Sequence, residues 1–146
     1  GLQIERAVSA AGSCGAAQAI VDLAASYAKE RVQFGQPIGA FQAIAHMIAD
    51  MATEVDAATM LMWRAVWLVS TGKDALREIT MAKLFASEVY AKVANMGVQV
   101  MGGYGLSAEY DMQRYFRDAR SGTIAAGTSQ TQRNLIAGLM GLKPAR

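Results

Sequence analysis

The sequence lacks the residues that would cross-link the chain or bind a metal ion. It has one cysteine, Cys14, which excludes an internal disulfide, and one histidine, His46. No CxxC or HExxH spacing occurs, so the sequence predicts no metal site. Because Cys14 lies among small residues, we expect an inert buried thiol rather than a nucleophile. His46 lies away from the apolar stripe of its predicted helix, which favours a structural role over a catalytic one.

The sequence also has few prolines, no clear strand-like alternation of apolar and polar residues, and little excess of either charge. Only Pro37 and Pro144 occur in 146 residues, and no alternating β-branched run stands out, so the sequence predicts an all-α fold. The net charge is +2 with both signs interspersed, and no basic stripe contains aromatic residues, so we expect no nucleic-acid partner. The charge-free runs at residues 7–21, 32–49 and 93–108 are too short or too interrupted to predict a membrane span.

Hydrophobic spacing divides the chain into helices. A helix over residues 2–31 consists mainly of small apolar residues, and we expect it to pack closely on several sides. A second helix, over residues 40–70, and a third, from an N-cap at Asp74 to Gly102-Gly103, each carry one apolar stripe. The stripe residues are Phe41, Ile44, Ile48, Met51, Val55, Ala58, Met62, Ala65 and Val69, then Ile79, Ala82, Ala86, Val89, Val93, Met96 and Val100. With a shorter fourth helix, they predict one domain over residues 1–146, an antiparallel up-down four-helix bundle.

After a short amphipathic stretch at residues 112–119, residues 122–133 read GTIAAGTSQTQR and predict a loop that enters a helix. Ser129 and Gln132 fit the S/T-x-x-E/Q capping box ahead of an apolar helix over residues 135–142. Such a helix start presents unpaired N–H groups, which suit a phosphate or carbonyl oxygen. An ordinary polar N-cap accounts for the same pattern, and the residues alone leave both interpretations open.

Three blocks between the predicted helices resemble one known family. They read RVQFGQPIGAFQ at residues 31–42, QVMGGYG at residues 99–105 and GTSQTQRN at residues 127–134. Together they resemble the C-terminal helical domain of the acyl-CoA dehydrogenase family of flavoenzymes, over residues 1–141. The resemblance implies an FAD-dependent enzyme that removes an α-proton and a β-hydride from an acyl-CoA thioester, which gives a trans-2-enoyl-CoA. Because the chain opens at Gly1 without Met, inside a predicted helix, we expect a fragment of a larger flavoenzyme that is inactive alone.

The resemblance also implies a catalytic carboxylate, for which two positions compete. In much of the family a glutamate stands immediately before the Gly-Thr of the loop, where this sequence has Ala126. The isovaleryl-CoA and long-chain types carry it instead on the first helix, just before an arginine, and GLQIER places Glu5 before Arg6 there. The loop sequence AAGTS, at residues 125–129, also resembles that of the isovaleryl-CoA class. We therefore expect Glu5 to be the catalytic base, although an ordinary first-turn acid would account for it without the resemblance.

The same blocks imply which residues hold the flavin and the substrate. The matched cofactor contacts are Arg31, Phe34, Gln42, Gln99, Gly102, Gly103, Thr128 and Gln130, and the matched substrate contacts are Arg6 and Gly127. An arginine suits phosphate geometry, and glycines allow close backbone approach. In the family two of these cofactor sets, Arg31 with Phe34 and Gln42, and Gln99 with Gly102 and Gly103, serve a flavin bound mainly by different subunits. The resemblance therefore implies a homo-oligomer, a dimer or a tetramer. Without the resemblance, the residues alone would indicate that Arg31 is a cation at a helix end, that Gly102-Gly103 is a C-cap, and that Gln99 is a surface amide.

Two other functions fit the same residues. An acyl-CoA oxidase-type flavoprotein on the same scaffold would differ in how oxygen reaches the reduced flavin. A non-catalytic assembly subunit is favoured by Ala126, since a methyl group cannot accept a proton. A dehydrogenase implies an acyl-CoA substrate, electron-transfer flavoprotein as the acceptor, and a location in the cytoplasm or, in a eukaryote, the mitochondrial matrix.

Overall fold

The computed structural model describes residues 1–143, most of which are α-helical. Three long helices, α1 (Leu2–Glu30), α2 (Gln42–Ser70) and α3 (Leu76–Met101), are followed by two short ones, α4 (Met112–Gly122) and α5 (Ser129–Leu139). Short 3₁₀ segments occur at Ile38–Ala40 and Gly102–Leu106. Strands β1 (Val32–Gln33) and β2 (Gln36–Pro37) form a small antiparallel hairpin after α1. The all-α fold expected from the sequence is confirmed, and the expected amphipathic stretch is helix α4.

Helix α3 lies at the centre and packs against all four other α-helices. Every residue of its predicted stripe is buried except Met96, which is partly buried. The stripe of α2 is buried from Met51 to Ala65, whereas Val69 at its end is exposed. Because burial of one large aliphatic side chain contributes about 1.5–3 kcal/mol, these two stripes account for much of the packing that holds the helices together.

Helix α1 has one buried face and one open face. Its buried residues, spaced three or four apart, are Arg6, Ala10, Ser13, Cys14, Ala17, Ile20, Val21, Ala24 and Ala28. The expected close packing on several sides is wrong for this chain, since Val8, Gly12 and Gly15 on the other face are exposed. Cys14 is buried as expected, and burial raises the pKa of its thiol. Among residues 1–143, α1 is long and apolar enough to cross a membrane by length and composition, a test that the core helix of a bundle also passes.

Two helix starts differ from the expectation. The N-cap position of α3 is Ala75, although Asp74 Oδ1 still accepts a hydrogen bond from the Leu76 N–H at 3.2 Å. Helix α5 begins at Ser129 rather than at residue 135, and its N-cap is Thr128, whose hydroxyl accepts from the Thr131 N–H at 3.2 Å. The capping box predicted at Ser129 and Gln132 is therefore wrong, because both of those side chains are buried in the bundle.

The end of α5 also lies earlier than expected, at Leu139 rather than at residue 142. Gly141 has a φ of +83°, which is left-handed, and the N–H of Leu142 turns back to donate to the carbonyl of Ala137 at 2.9 Å. A left-handed glycine followed by such a bond ends a helix, which explains the early stop.

Candidate functional site

The first candidate site is a cavity of about 690 Å³ where the C-terminal ends of α1 and α3 meet. Arg31 and Phe34, which follow α1, line it together with Gln99, Gly102 and Gly103 from the end of α3. The fold thus brings together five of the eight predicted cofactor residues, although they come from two separate sequence blocks. Gln42 does not line this cavity; it is the first residue of α2 and is exposed.

Two left-handed turns shape the rim of this first cavity. Gly102 ends α3 with a φ of +60° and a ψ of −139°, a combination that glycine adopts without steric cost. Phe34 has a φ of +53° although it carries a Cβ, and its side chain is 92% exposed. Non-glycine residues in this conformation cost about 1 kcal/mol or more, and they cluster at ligand sites. The Phe34 ring packs edge-on against Phe41 with centroids 6.2 Å apart, which holds an aromatic face open to solvent.

The charge of the first cavity comes from Arg31. Its guanidinium lies 5.5 Å from the centroid of the Tyr104 ring, a cation–π arrangement that keeps it at the cavity wall. A fixed guanidinium beside glycine backbone and exposed aromatic rings suits a ligand that joins a phosphate to a planar ring system.

A second cavity, of about 310 Å³, lies at the start of α5. Thr128 and Gln130, both predicted cofactor residues, line it beside Ser129. Ser129 is only 6% exposed, and its hydroxyl lies beside the Glu88 carboxylate, whose pKa it helps to lower. The second cavity therefore combines hydroxyl and amide side chains with the N-terminal end of a helix, which favours an anion or a carbonyl oxygen.

An ion pair fixes the α5 side of the second cavity to α3. Arg133 donates from both terminal nitrogens to the Glu88 carboxylate, at 2.6 and 2.8 Å. These hydrogen bonds hold the pKa of Glu88 below its usual range. Both residues line the cavity, so the bidentate pair sets the orientation of the helix start that carries Thr128 and Gln130.

The loop that precedes α5 has an unusual backbone. Ala126 and Gly127 are consecutive left-handed residues, with φ values of +54° and +95°. The Ala126 carbonyl accepts from Arg6 Nε at 3.3 Å and from Gln132 Nε2 at 3.2 Å. The Gly127 carbonyl accepts from Gln132 Nε2 at 3.1 Å and from Lys83 Nζ at 2.6 Å. Buried donors from α1, α3 and α5 therefore converge on two adjacent peptide groups.

The contact of Arg6 with Ala126 joins the two places where the sequence allows a catalytic carboxylate. Arg6 is 6% exposed, whereas Glu5, its neighbour on α1, is exposed and has no salt bridge within the described part of the chain. Gly127 lies beside the same guanidinium, since an added Cβ would be 3.5 Å from Arg6 Nη2. The structure therefore brings Arg6, Gly127 and the start of α1 together, as the sequence predicts for a substrate site.

Sequence reasoning missed two residues of this cluster, Lys83 and Gln132. Both have no exposed side-chain surface. Lys83 follows Ala82 on the apolar stripe of α3, and a lysine on such a face was a signal that could have been used. Burial lowers the pKa of Lys83, and the nearby positive charge of Arg6 lowers it further. Gln132 was assigned to a helix cap, whereas its amide binds the loop.

Known proteins with the same fold define the class. Residues 1–140 match the family model described as acyl-CoA dehydrogenase, C-terminal domain. The chain is 47% identical to the caffeyl-CoA reductase-Etf complex subunit CarC of Acetobacterium woodii. That alignment of 139 residues covers 95% of this chain and 37% of CarC. The chain is 39% identical over 137 residues to the human mitochondrial short-chain specific acyl-CoA dehydrogenase, covering 94% of this chain and 33% of that one.

A solved structure agrees with these relatives. Butyryl-CoA dehydrogenase from Megasphaera elsdenii superposes with a TM-score of 0.94 at 37% identity, over 95% of this chain and 36% of that one. This chain therefore belongs to the acyl-CoA dehydrogenase family and corresponds to its C-terminal domain. Members of this family are FAD flavoproteins that act as oxidoreductases. The chain spans about a third of the length of the relatives it matches.

Proposed function

We propose that this chain serves as the C-terminal domain of a larger FAD-dependent acyl-CoA dehydrogenase, which converts an acyl-CoA thioester into a trans-2-enoyl-CoA. The observation that carries the proposal is the 3.3 Å hydrogen bond from Arg6 Nε to the Ala126 carbonyl. It places the first turn of α1, which bears Glu5, beside the loop position where much of the family carries its base. On this proposal, a carboxylate on the first turn of α1 replaces one at position 126 as the base for the same reacting carbon.

Each residue of this cluster has a defined part in the proposed reaction. The Glu5 carboxylate would take the α-proton of the acyl thioester, and the chemistry supplied by bound FAD would be acceptance of the hydride of the β-carbon. Arg6 anchors the start of α1 to the loop. Gly127 leaves the space beside Arg6 open, because it has no side chain to fill it.

The residues present fit FAD at two places. Arg31 and the left-handed Gly102 offer a cation and an unobstructed backbone for the phosphate end, in a cavity of ordinary ligand size. The Thr128 and Gln130 side chains of the second cavity offer polar contacts to another part of the cofactor.

We further propose a homo-oligomer in which the two cavities serve different copies of the flavin. Two separate cavities support this arrangement, since Arg31 and Gln99 line the first, whereas Thr128 and Gln130 line the second. Helix α2 supports it too, because Trp63 and Trp67 lie one turn apart and are 56% and 55% exposed. Large exposed aromatic side chains in a row are typical of surfaces that contact another protein.

Acyl-CoA as the substrate and electron-transfer flavoprotein as the acceptor complete the proposal. The relative that is named as part of a caffeyl-CoA reductase-Etf complex supports both, since it shares 47% identity with this chain. The competing non-catalytic role is favoured by Ala126, which has no group that accepts a proton.

The experiment that tests the proposal uses the full-length protein that contains this chain. After purification, bound FAD is measured, and the flavin absorbance is followed anaerobically while a panel of straight, branched and aryl acyl-CoA thioesters is added. A dehydrogenase bleaches its flavin with at least one thioester and consumes oxygen slowly. Rapid oxygen consumption would instead identify an oxidase, and a flavin that no thioester bleaches would identify an assembly subunit.

A further inference from the structure

Lys83 has the most unusual environment of any charged residue in residues 1–143. It lies in the middle of α3 with no exposed surface, and its neighbours on the helix include Ala82 and Ala86. Among residues 1–143 neither Lys83 nor Arg6 forms a salt bridge, and the two cations lie close enough for Arg6 to lower the pKa of Lys83. Burial of an ammonium group is costly unless hydrogen-bond acceptors compensate its charge. The hydrogen bonds of Lys83 therefore explain how a lysine is tolerated at this buried position.

Those hydrogen bonds go to both ends of one loop. Lys83 Nζ donates to the Gly122 carbonyl at 2.8 Å, where α4 ends, and to the Gly127 carbonyl at 2.6 Å, just before α5. One charged group thereby closes the loop of residues 122–127 onto the central helix. Charge-assisted hydrogen bonds of this length are about twice as strong as neutral ones.

The closed loop contains the strained pair Ala126 and Gly127. Two consecutive left-handed residues, one with a Cβ, do not stay in place without support from their surroundings. Arg6 binds the Ala126 carbonyl and Gln132 binds both carbonyls, while the Ser129 N–H joins the two ends of the loop by donating to the Thr123 carbonyl at 3.1 Å. Of the three side-chain donors, Lys83 alone also binds Gly122, so it ties both ends of the loop to α3.

We propose that Lys83 is a positioning residue for the dehydrogenation, whose ammonium locks the loop of residues 122–127 so that Ala126 and Gly127 lie at a fixed distance from Arg6 and Glu5. The inference rests on the proposed function, because it assigns the loop to the wall of the substrate site. Lys83 itself is buried behind the loop and acts through it rather than on the substrate.

The test uses the full-length holoenzyme with Lys83→Met, which keeps a side chain of similar length and removes the charge. Lys92→Met is the matched control, since Lys92 lies on the same helix, is exposed and pairs with Glu54. The rate constant for anaerobic flavin reduction is measured per bound flavin at saturating acyl-CoA, so that a loss of folded protein does not alter it. A loosened loop should slow this step by about 10- to 100-fold, since a misplacement of about 1 Å costs up to about 100-fold, whereas the control keeps the parent rate.

Two further measurements separate positioning from a purely structural role. In Lys83→Ala, added propylammonium should raise the rate per flavin, because it restores an ammonium group in the space left by the side chain. Combining Lys83→Met with Glu5→Gln should slow the reaction by less than the product of the two single effects, because positioning relative to the Glu5 carboxylate no longer matters once that carboxylate is removed.

Different outcomes would contradict either the positioning role of Lys83 or the assignment of Glu5 as the base. If Lys83→Met lowers the melting temperature but reduces its flavin at the parent rate, Lys83 is only structural and the inference is wrong. If Lys83→Met binds no FAD and propylammonium does not raise the rate of Lys83→Ala, it is wrong as well. If Glu5→Gln keeps the parent rate while Lys83→Met is slow and Lys83→Ala is rescued, the assignment of the base fails and the positioning role holds.

Discussion

Arg6 and Ala126 are separated by 120 residues, yet Arg6 Nε donates a hydrogen bond to the Ala126 carbonyl at 3.3 Å. This contact brings Arg6, the sequence neighbour of Glu5, against residue 126. Proton transfer requires a carboxylate within hydrogen-bond reach of the carbon acid, whichever segment supplies it. Under the proposed function, Glu5 takes the part that a glutamate at position 126 plays in much of the family.

The first prediction concerns Gly127. An alanine there would place its Cβ 2.6 Å from Gln132 Nε2 and would be held at a φ of +95°. Because both the clash and the backbone strain act on the folded state, Gly127→Ala should lower the free energy of unfolding by about 1–3 kcal/mol. The measurement is urea denaturation followed by circular dichroism.

Gly138→Ala is the matched control for Gly127→Ala. Gly138 lies within α5, and an added Cβ there meets nothing within 4 Å. Since alanine favours a helix over glycine by about 1 kcal/mol, this change should leave stability unchanged or raise it. Equal destabilisation by both substitutions would contradict the close packing described at Gly127.

The second prediction concerns the pH dependence of the Glu88–Arg133 pair. The hydrogen bonds from Arg133 hold the pKa of Glu88 below its ordinary value of 4.5. A lowered carboxyl pKa means that the pair stabilises the fold above pH 4.5, and that this stabilisation is lost as the pH falls through the lowered pKa. The pair is partly exposed, so the loss should be at most about 1 kcal/mol.

Thermal unfolding from pH 7 down to pH 3 measures this loss, with Glu88→Gln as the comparison. The variant cannot change charge at position 88, so its melting temperature should fall less steeply in acid than that of the parent protein. Parallel curves would show that the ion pair does not contribute.

The third prediction concerns the first cavity. Arg31→Ala in the full-length protein should weaken FAD binding by about 10- to 150-fold, since a charge-assisted hydrogen bond is worth about 1.5–3 kcal/mol. Arg77→Ala, an exposed change on α3 away from both cavities, is the control. Flavin retained after dilution and gel filtration gives the occupancy, and full retention by Arg31→Ala would remove Arg31 from the cofactor site.

Much of the fold could be predicted from the sequence because the spacing of apolar residues indicates most of those that are buried in α2 and α3. The stripe from Ile79 to Val100 follows from the helix period, and Gly102 marks the end of α3. The start of α5 could not be predicted in the same way. Thr128 and Ser129 are both good caps, and only the buried position of Ser129 in the folded chain decides between them.

The candidate site was only partly predictable for a related reason. Arg31 and Gln99 lie in recognisable blocks, and the fold brings them into one cavity. The role of Lys83 depends on the carbonyls of Gly122 and Gly127, which come about 40 residues later and face α3 only after folding. No local pattern in the sequence encodes such a contact, so a buried lysine was the only available sign.

Transfer of the carboxylate between the two positions gives an independent check. Glu5→Gly combined with Ala126→Glu should recover part of the activity lost without Glu5, because the Arg6 contact brings both positions to one site. Position 126 already holds a residue with a Cβ at a φ of +54°, so a glutamate there adds no new backbone strain. Asp22→Asn, an exposed change on the same helix, should have no effect.

Flavin reduction by Glu5→Gln tests the central claim most directly. The substitution keeps the shape of the side chain and removes its basic oxygen, so acyl-CoA binding should survive in the full-length protein. Stopped-flow absorbance under anaerobic conditions should show the flavin reduced about 100- to 10,000-fold more slowly than in the parent protein. A Glu5→Gln protein that bleaches its flavin as fast as the parent would contradict the assignment of Glu5 as the base.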